Sequence, residues 1–174
     1  MFKKNLSKTF LMINKYLTKS FYTNLFIVLS IYVLDRISKI YVVYLNEQIT
    51  RSNIFESNFL NITLVWNRGI AFGLFSFNKI FFYNLLTIII ACVIIIIVII
   101  ASKNAGFSRN FLFMIIGGAI GNLHDRIFSS AVPDFIDFHI GSFHWFIFNV
   151  SDIFITLGII GMIILEMTSN KANE

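Results

Sequence analysis

The feature that most constrains this chain is a set of four apolar stretches, each near the roughly 20 residues that a helix needs to cross a bilayer core. They run over about 23–45, 79–102, 111–127 and 146–167, and the second contains an uncharged run from Thr87 to Ala101. Backbone placed in lipid must satisfy its hydrogen bonds inside a helix or a closed barrel, which leaves few architectures open. Of the 174 residues, 57% are hydrophobic and 13% are charged, against about 25% charged in a soluble domain. The chain has too few charges to cover a water-facing surface of its own. The sequence therefore predicts an all-α polytopic membrane protein of four transmembrane helices. Disorder is excluded by the apolar content and a disulfide scaffold by the single Cys92, which reads as a small core residue in the middle of span two.

The net charge of +5 is localised. Lys3, Lys4, Lys8, Lys15 and Lys19 precede the first span with no acid among them, and the remaining nine basic and nine acidic residues cancel. Basic residues beside a first span mark a cytoplasmic end, so residues 1–22 read as a basic cytoplasmic arm and nucleic acid is not an expected partner. Four spans return the 168–174 tail to the same side. Lys103 and Arg109 flank the connection between spans two and three, and the loop from Phe128 to Trp145 has neither Lys nor Arg. A cleaved signal peptide is the rival reading of the N-terminus, but Asp35-Arg-Ile-Ser-Lys39 stands where a small-residue cleavage site would be needed. Residues 23–167 are expected to form one compact domain.

The first outer segment is not all loop. Asn58 to Trp66 is rich in β-branched and aromatic residues with partial alternation, which predicts one or two short strands, and apolar Gly69 to Phe77 suits a helix lying on the membrane surface.

Ionisable residues inside spans are costly and by default face the bundle interior. Asp35 and Lys39 stand at i and i+4 on one helical face, a spacing that suits a buried ion pair, with Arg36 snorkelling toward an interface. A structural role and a functional one fit that pair equally. Gly117 and Gly121 give span three a small face for close helix approach, followed by Asn122, Asp125 and Arg126 at i, i+3 and i+4, a pattern that on residue type alone suits packing and capping better than catalysis. Span four opens with Asn149, Asp152 and Thr156 on one face, placing Asp152 about 9 Å inside the span.

Asp134 and Asp137 in the preceding loop are the natural company for Asp152. Two carboxyls in a low-dielectric pocket tend to share a proton, so that the ionised member takes a proton from water and the protonated member polarises a carbonyl. Cys92 has no His nearby and the chain has no G-x-S-x-G elbow, which leaves a water-activating carboxylate pair as the chemistry the residues best allow. Metal binding by Asp125, Asp134, Asp137, His139 and His144 is the alternative, without an H-E-x-x-H motif to support it. A proton-coupled transporter is a further alternative, though Asp134 in a loop makes a poor transport pathway.

Taken together, Asp35-x-x-x-Lys39, Asn67-Arg-Gly-Ile-Ala-Phe-Gly73, Gly117-Gly-Ala-Ile-Gly-Asn-x-x-Asp-Arg126, Val132-Pro-Asp-Phe135 and Phe148-Asn-Val-Ser-Asp152 resemble, in order, the motif boxes of the lipoprotein signal peptidases, the type II signal peptidases of bacteria. The resemblance implies an aspartic endopeptidase of the bacterial cytoplasmic membrane. Such an enzyme cleaves diacylglyceryl-modified prolipoproteins just before the lipidated cysteine, without a metal or other cofactor. It implies Asp134 and Asp152 as the catalytic pair, with Asp35, Lys39, Asn67, Gly69, Asn122, Asp125, Arg126 and Asn149 as supporting and substrate-positioning residues. The implied fold is four membrane helices with a small extracytoplasmic β-cradle and a short surface helix, the site lying near the extracytoplasmic face. Lipidated prolipoproteins and membrane lipids are the implied partners, and a monomer is expected. Ser151 before the second aspartate and His124 before Asp125 depart from the family's usual small or polar residues.

Overall fold

The computed structural model describes residues 19–49, 53–69 and 80–171. Four long helices carry the molecule: α1 (Lys19–Gln48), α2 (Ile80–Lys103), α3 (Gly106–Phe128) and α4 (Val150–Lys171). Strands β1 (Phe55–Glu56), β2 (Leu60–Asn67), β3 (Val132–Ile140) and β4 (Phe143–Phe148) form one antiparallel sheet in the order β1-β2-β3-β4.

Three segments, Phe81–Lys103, Gly106–Phe128 and Val150–Ser169, are long and apolar enough to cross a membrane. The expectation of four spans is thus met for three among the described residues. The exception is α1, whose apolar run is broken by Asp35, Arg36 and Lys39. The helices turn most of their apolar side chains outward: Phe81 is 71% exposed and Ile88 61%. That is the pattern of a bundle whose solvent is lipid, where apolar surface needs no burial against protein. Cys92 is exposed on α2 rather than packed in a core as the sequence reading had it.

Helix α3 is the centre of the bundle, and its glycines explain how. A methyl group on Gly117 would lie 3.1 Å from Ile31 Cβ of α1, and one on Gly118 would lie 2.5 Å from the Ser151 carbonyl oxygen of α4. On Gly121 it would collide with the Ser151 hydroxyl and lie 2.7 Å from Asp35 Oδ2. The small face read from Gly117 and Gly121 therefore serves two neighbours, admitting α1 and α4 at once. Lower in the bundle, Ala101, Leu112 and Ile116 form a small apolar core against Val28 and Ile97.

The stretch between α3 and α4, read from the sequence as a loop running to Trp145, is instead a β-hairpin. Ile140 pairs with Phe143 across the two-residue turn Gly141-Ser142, with Gly141 at φ +59°, where a side chain would be strained. Because Phe143–Phe148 is strand, α4 starts at Val150 and not at Phe146. Asp152 consequently lies in the first turn of α4 rather than deep inside a span. The strand expected within Asn58 to Trp66 is present as β2, which pairs with β3 from Leu60↔Phe138 to Asn67↔Val132. An irregularity between Ile62 and Val65 adds one residue to β2 opposite the segment that carries Asp134, a device that locally bends a strand and re-aims its side chains. The surface helix expected from Gly69 to Phe77 lies, beyond Gly69, outside the described residues.

Candidate active site

Local sequence fixes the start of α4. The Asn149 side-chain oxygen accepts from the Asp152 backbone N–H at 3.2 Å, and the Asp152 carboxylate accepts from the Asn149 backbone N–H at 3.2 Å. This reciprocal arrangement is a capping box, in which residues at the N-cap and N3 satisfy each other's orphan donors. The N-x-x-D spacing that puts Asn149 and Asp152 on one polar face is also the spacing of this cap. The cap places the Asp152 carboxyl at the mouth of the helix, where the positive end of its dipole favours negative charge.

Asp134 arrives from the other side, on β3. Its two carboxyl oxygens accept from Asn67 Nδ2 at 2.8 Å and Asn149 Nδ2 at 2.6 Å. Asn149 therefore touches both aspartates, one with its amide nitrogen and the other through the capping box. Asp152 Oδ1 accepts from Asn122 Nδ2 at 2.8 Å. Three asparagines supply N–H to the two carboxyls, and the other end of each amide is tied down. The oxygen of Asn67 accepts from the Gly69 backbone N–H, that of Asn149 from the Asp152 N–H, and that of Asn122 from Lys39 Nζ. Because each oxygen holds a donor, each NH2 group is left facing a carboxylate.

Burial pushes the Asp134 carboxyl up to about 6, and the negative charge of Asp152 adds to the rise, opposed by the Asn67 and Asn149 amides and by Lys39. Such a carboxyl is poised to hold or release a proton near neutral pH. Both aspartates, with Asn67, Asn122, Arg126 and Asn149, line one cavity of about 960 Å³ whose remaining wall is largely apolar, with Phe146, Phe148 and Ile159 among it. A few convergent polar groups in a large apolar cavity is the usual form of a binding site. Arg126 bridges α3 to the chain after β2, donating to the Gly69 carbonyl oxygen at 2.7 Å and to the Asn122 carbonyl oxygen at 3.3 Å.

Asp35, Lys39 and Asp125 do not line the cavity; they form a buried charge cluster behind it. Lys39 Nζ lies 2.9 Å from Asp35 and 2.7 Å from Asp125, and all three residues are at most 2% exposed. Arg36 does not snorkel as the sequence reading had it. It turns inward and grips Asp125 with two nitrogens, at 2.6 and 2.7 Å, while lying 2.9 Å from Asp35. Two acids and two bases thus close a neutral quartet, the arrangement that makes burial of so many charges tolerable. Asp35 also accepts from the Ser151 backbone N–H at 3.0 Å, so that α1 helps cap α4. Arg36 and Ser151 are the contributors that sequence reasoning missed. No local pattern signals either contact, because the partners lie 89 and 116 residues away in sequence.

Of the metal candidates, Asp137 and His144 pair at 2.8 Å on the sheet, and His139 stacks on His144 with ring centroids 4.9 Å apart. Asp125 is committed to Arg36 and Lys39, and Asp134 to its two asparagines. The five residues do not converge. His124 lies 3.0 Å from the Tyr32 hydroxyl, between α3 and α1.

Comparison with known proteins adds the following. A family model described as Signal peptidase (SPase) II matches residues 27–168. The lipoprotein signal peptidase of Pelagibacter ubique (strain HTCC1062) is 48% identical over 163 residues, spanning 92% of this chain and 98% of that protein. That of Anaplasma marginale (strain Florida) is 38% identical over 141 residues, 79% of each chain. A solved structure described as a bacterial membrane enzyme at 2.3 Å resolution superposes with a TM-score of 0.72 at 32% identity, covering 87% of this chain and 92% of that one.

Proposed function

The chain belongs to the signal peptidase II family and is a membrane peptidase that removes the signal peptide from prolipoproteins, and from that premise we propose that Asp134 and Asp152 are its catalytic pair. The observation that carries this reading is the convergence of two carboxyls from different elements on one cavity, each held by oriented N–H donors. With one of the two ionised and the other protonated, the ionised carboxylate takes a proton from water and the resulting hydroxide attacks the scissile carbonyl carbon. The protonated partner gives its proton to the carbonyl oxygen, and collapse of the diol returns a proton to the leaving amine. No step requires a metal or cofactor.

The cavity suits a substrate that is part peptide and part lipid. Its apolar wall matches a signal helix and acyl chains, which supports cleavage of diacylglyceryl-modified substrates just before the lipidated cysteine, while the polar end receives the peptide. Asn67, Gly69, Asn122, Arg126 and Asn149 hold that polar end, and Asp35, Lys39 and Asp125 brace it. We place α1 across the membrane as a fourth span, its charges neutralised within the bundle. The site then lies at the extracytoplasmic face and both termini in the cytoplasm. In support, Arg109 on α3 reaches Ser20 of α1 at one end of the bundle, while Arg126 and the sheet stand 17 residues, roughly 26 Å of helix, away at the other. Both carboxyls and the three asparagines that orient them lie in one chain, so a single chain suffices as the active unit.

The test is direct. Asp134→Asn and Asp152→Asn, each inserted normally in reconstituted membranes, should abolish cleavage of a lipidated prolipoprotein; retained cleavage in either sinks the assignment.

A further inference from the structure

We propose that Lys39 is a positioning residue for the peptidase reaction: acting through the Asn122 amide, it holds Asp152 as the carboxylate that takes the proton from water and leaves Asp134 as the member that carries the proton. This rests on the catalytic pair proposed above and gives its two members distinct roles.

An ammonium has three N–H groups. Those of Lys39 have three acceptors within 2.9 Å: Asp35 Oδ2, Asp125 Oδ2 and Asn122 Oδ1. The first two complete the buried quartet. The third bond does nothing for charge balance, but it fixes which end of the Asn122 amide faces the cavity, so that Nδ2 donates to Asp152 Oδ1 at 2.8 Å. It also polarises that amide, because the oxygen opposite the donating NH2 is bound to a cation.

Asp134 feels Lys39 only through space, and neither amide that binds it is itself bound to a cation. Its amides, Asn67 and Asn149, are oriented by neutral backbone N–H groups, of Gly69 and Asp152 respectively. The other charged or titratable groups around the pair do not reverse this difference. Arg126 of α3 directs its two Nη groups to the carbonyl oxygens of Gly69 and Asn122. Asp125 of α3 is gripped by Arg36 and Lys39, and Tyr83 of α2 donates to the Arg126 carbonyl oxygen. The high proton affinity of buried Asp134 agrees with the same division. In the forward step Asp152 accepts the proton of water as its oxygen bonds to the carbonyl carbon, and the Asp134 proton passes to the carbonyl oxygen. In collapse the Asp152 proton goes to the departing amine nitrogen as the C–N bond breaks, and Asp134 recovers a proton from the diol.

The experiment measures kcat and KM across pH with a lipidated prolipoprotein in proteoliposomes, for Lys39→Met and for Arg36→Gln. Loss of the cation makes the ionised base less favourable. Lys39→Met should therefore lower kcat by about tenfold or more, leave KM within about twofold, and move the acid limb of the kcat profile up by about one pH unit. Arg36→Gln removes a charge from the same quartet without touching Asn122; it should lower thermal stability and leave the acid limb in place. An unmoved limb in Lys39→Met, or an equal shift in both variants, overturns the proposal. Should Lys39→Met not accumulate in membranes, Lys39→Met combined with Asp125→Asn keeps acids and bases equal in number and is read the same way. Asp152→Asn run alongside separates the two levels: activity in that variant sinks the catalytic pair, whereas an inactive Asp152→Asn with an unmoved limb sinks only the role of Lys39.

Discussion

At the scale of single residues, the site is built from asparagines whose amides are hydrogen-bonded at both ends. Asn149 has the densest set of duties: its amide nitrogen serves Asp134, its amide oxygen caps α4, and its backbone N–H holds Asp152. The backbone bond survives most substitutions and Ser, Thr or Asp would keep the cap, but the bond to Asp134 needs the amide NH2 as well. Asp134 bears the cost of the arrangement. Its carboxyl is raised to about 6 in the folded protein, against about 3.9 for an aspartate in an unfolded chain. The sign follows: stability is greatest where Asp134 is protonated in both states, and it falls as pH rises through about 4 to 6 because folding then buries a charge. Asn mimics the protonated acid. Asp134→Asn should therefore match the parent near pH 4 and unfold at a higher temperature near pH 8, by up to about 3 kcal/mol in stability. Thermal scans in detergent at the two pH values check this, and an equal difference at both would show that burial of charge is not the cause.

At the scale of elements, α3 sets the geometry by carrying almost no side chain where it meets its neighbours. A methyl group on Gly118 would sit 2.5 Å from the Ser151 carbonyl oxygen and 2.8 Å from Ile155 Cγ1. The first of these is backbone and cannot swing aside. Gly118→Ala should push α4 outward, cost about 1–3 kcal/mol as an overpacked contact, and reduce activity by displacing Asp152 relative to Asp134. A parent-like melting temperature and turnover would contradict that view of the interface. This scale also shows what a sequence can and cannot display. The glycine face of α3, the Asp35 to Lys39 pair and the strand before Asn67 were legible because helical and strand periodicity put their meaning into neighbouring positions. The β3–β4 hairpin escapes the sequence because, Pro133 apart, every one of its fifteen strand residues is apolar, aromatic or titratable without clean alternation, and only the Gly141-Ser142 turn marks it. The inward turn of Arg36 was not legible at all. Its partner, Asp125, lies 89 residues away, and no local pattern encodes such a meeting.

At the scale of the whole molecule, polar chemistry is gathered at one end and apolar surface is turned outward everywhere else. The exposed side chains of α2 are the surface offered to lipid, and Cys92 is one of them. Cys92→Ala should leave cleavage unchanged and alter stability by less than about 0.5 kcal/mol, as expected of a peripheral position. In membranes the parent Cys92 should stay unmodified by a membrane-impermeant maleimide and become reactive once the protein is denatured in water. Lost activity in the alanine variant, or labelling by the impermeant reagent, would place this face elsewhere than against lipid.

The buried quartet also bears on how the chain is made. The middle of α1 leaves the ribosome with one acid, Asp35, against two bases, Arg36 and Lys39. Its missing counter-charge is Asp125, which is synthesised only with α3. In the membrane placement proposed above, α1 by itself would carry an uncompensated cation into hydrocarbon until α3 packs against it. Under that placement, packing of α1 against α3 is the step at which the charges of α1 become balanced inside the bundle, which ties the first helix of the chain to the third in assembly as well as in the finished fold.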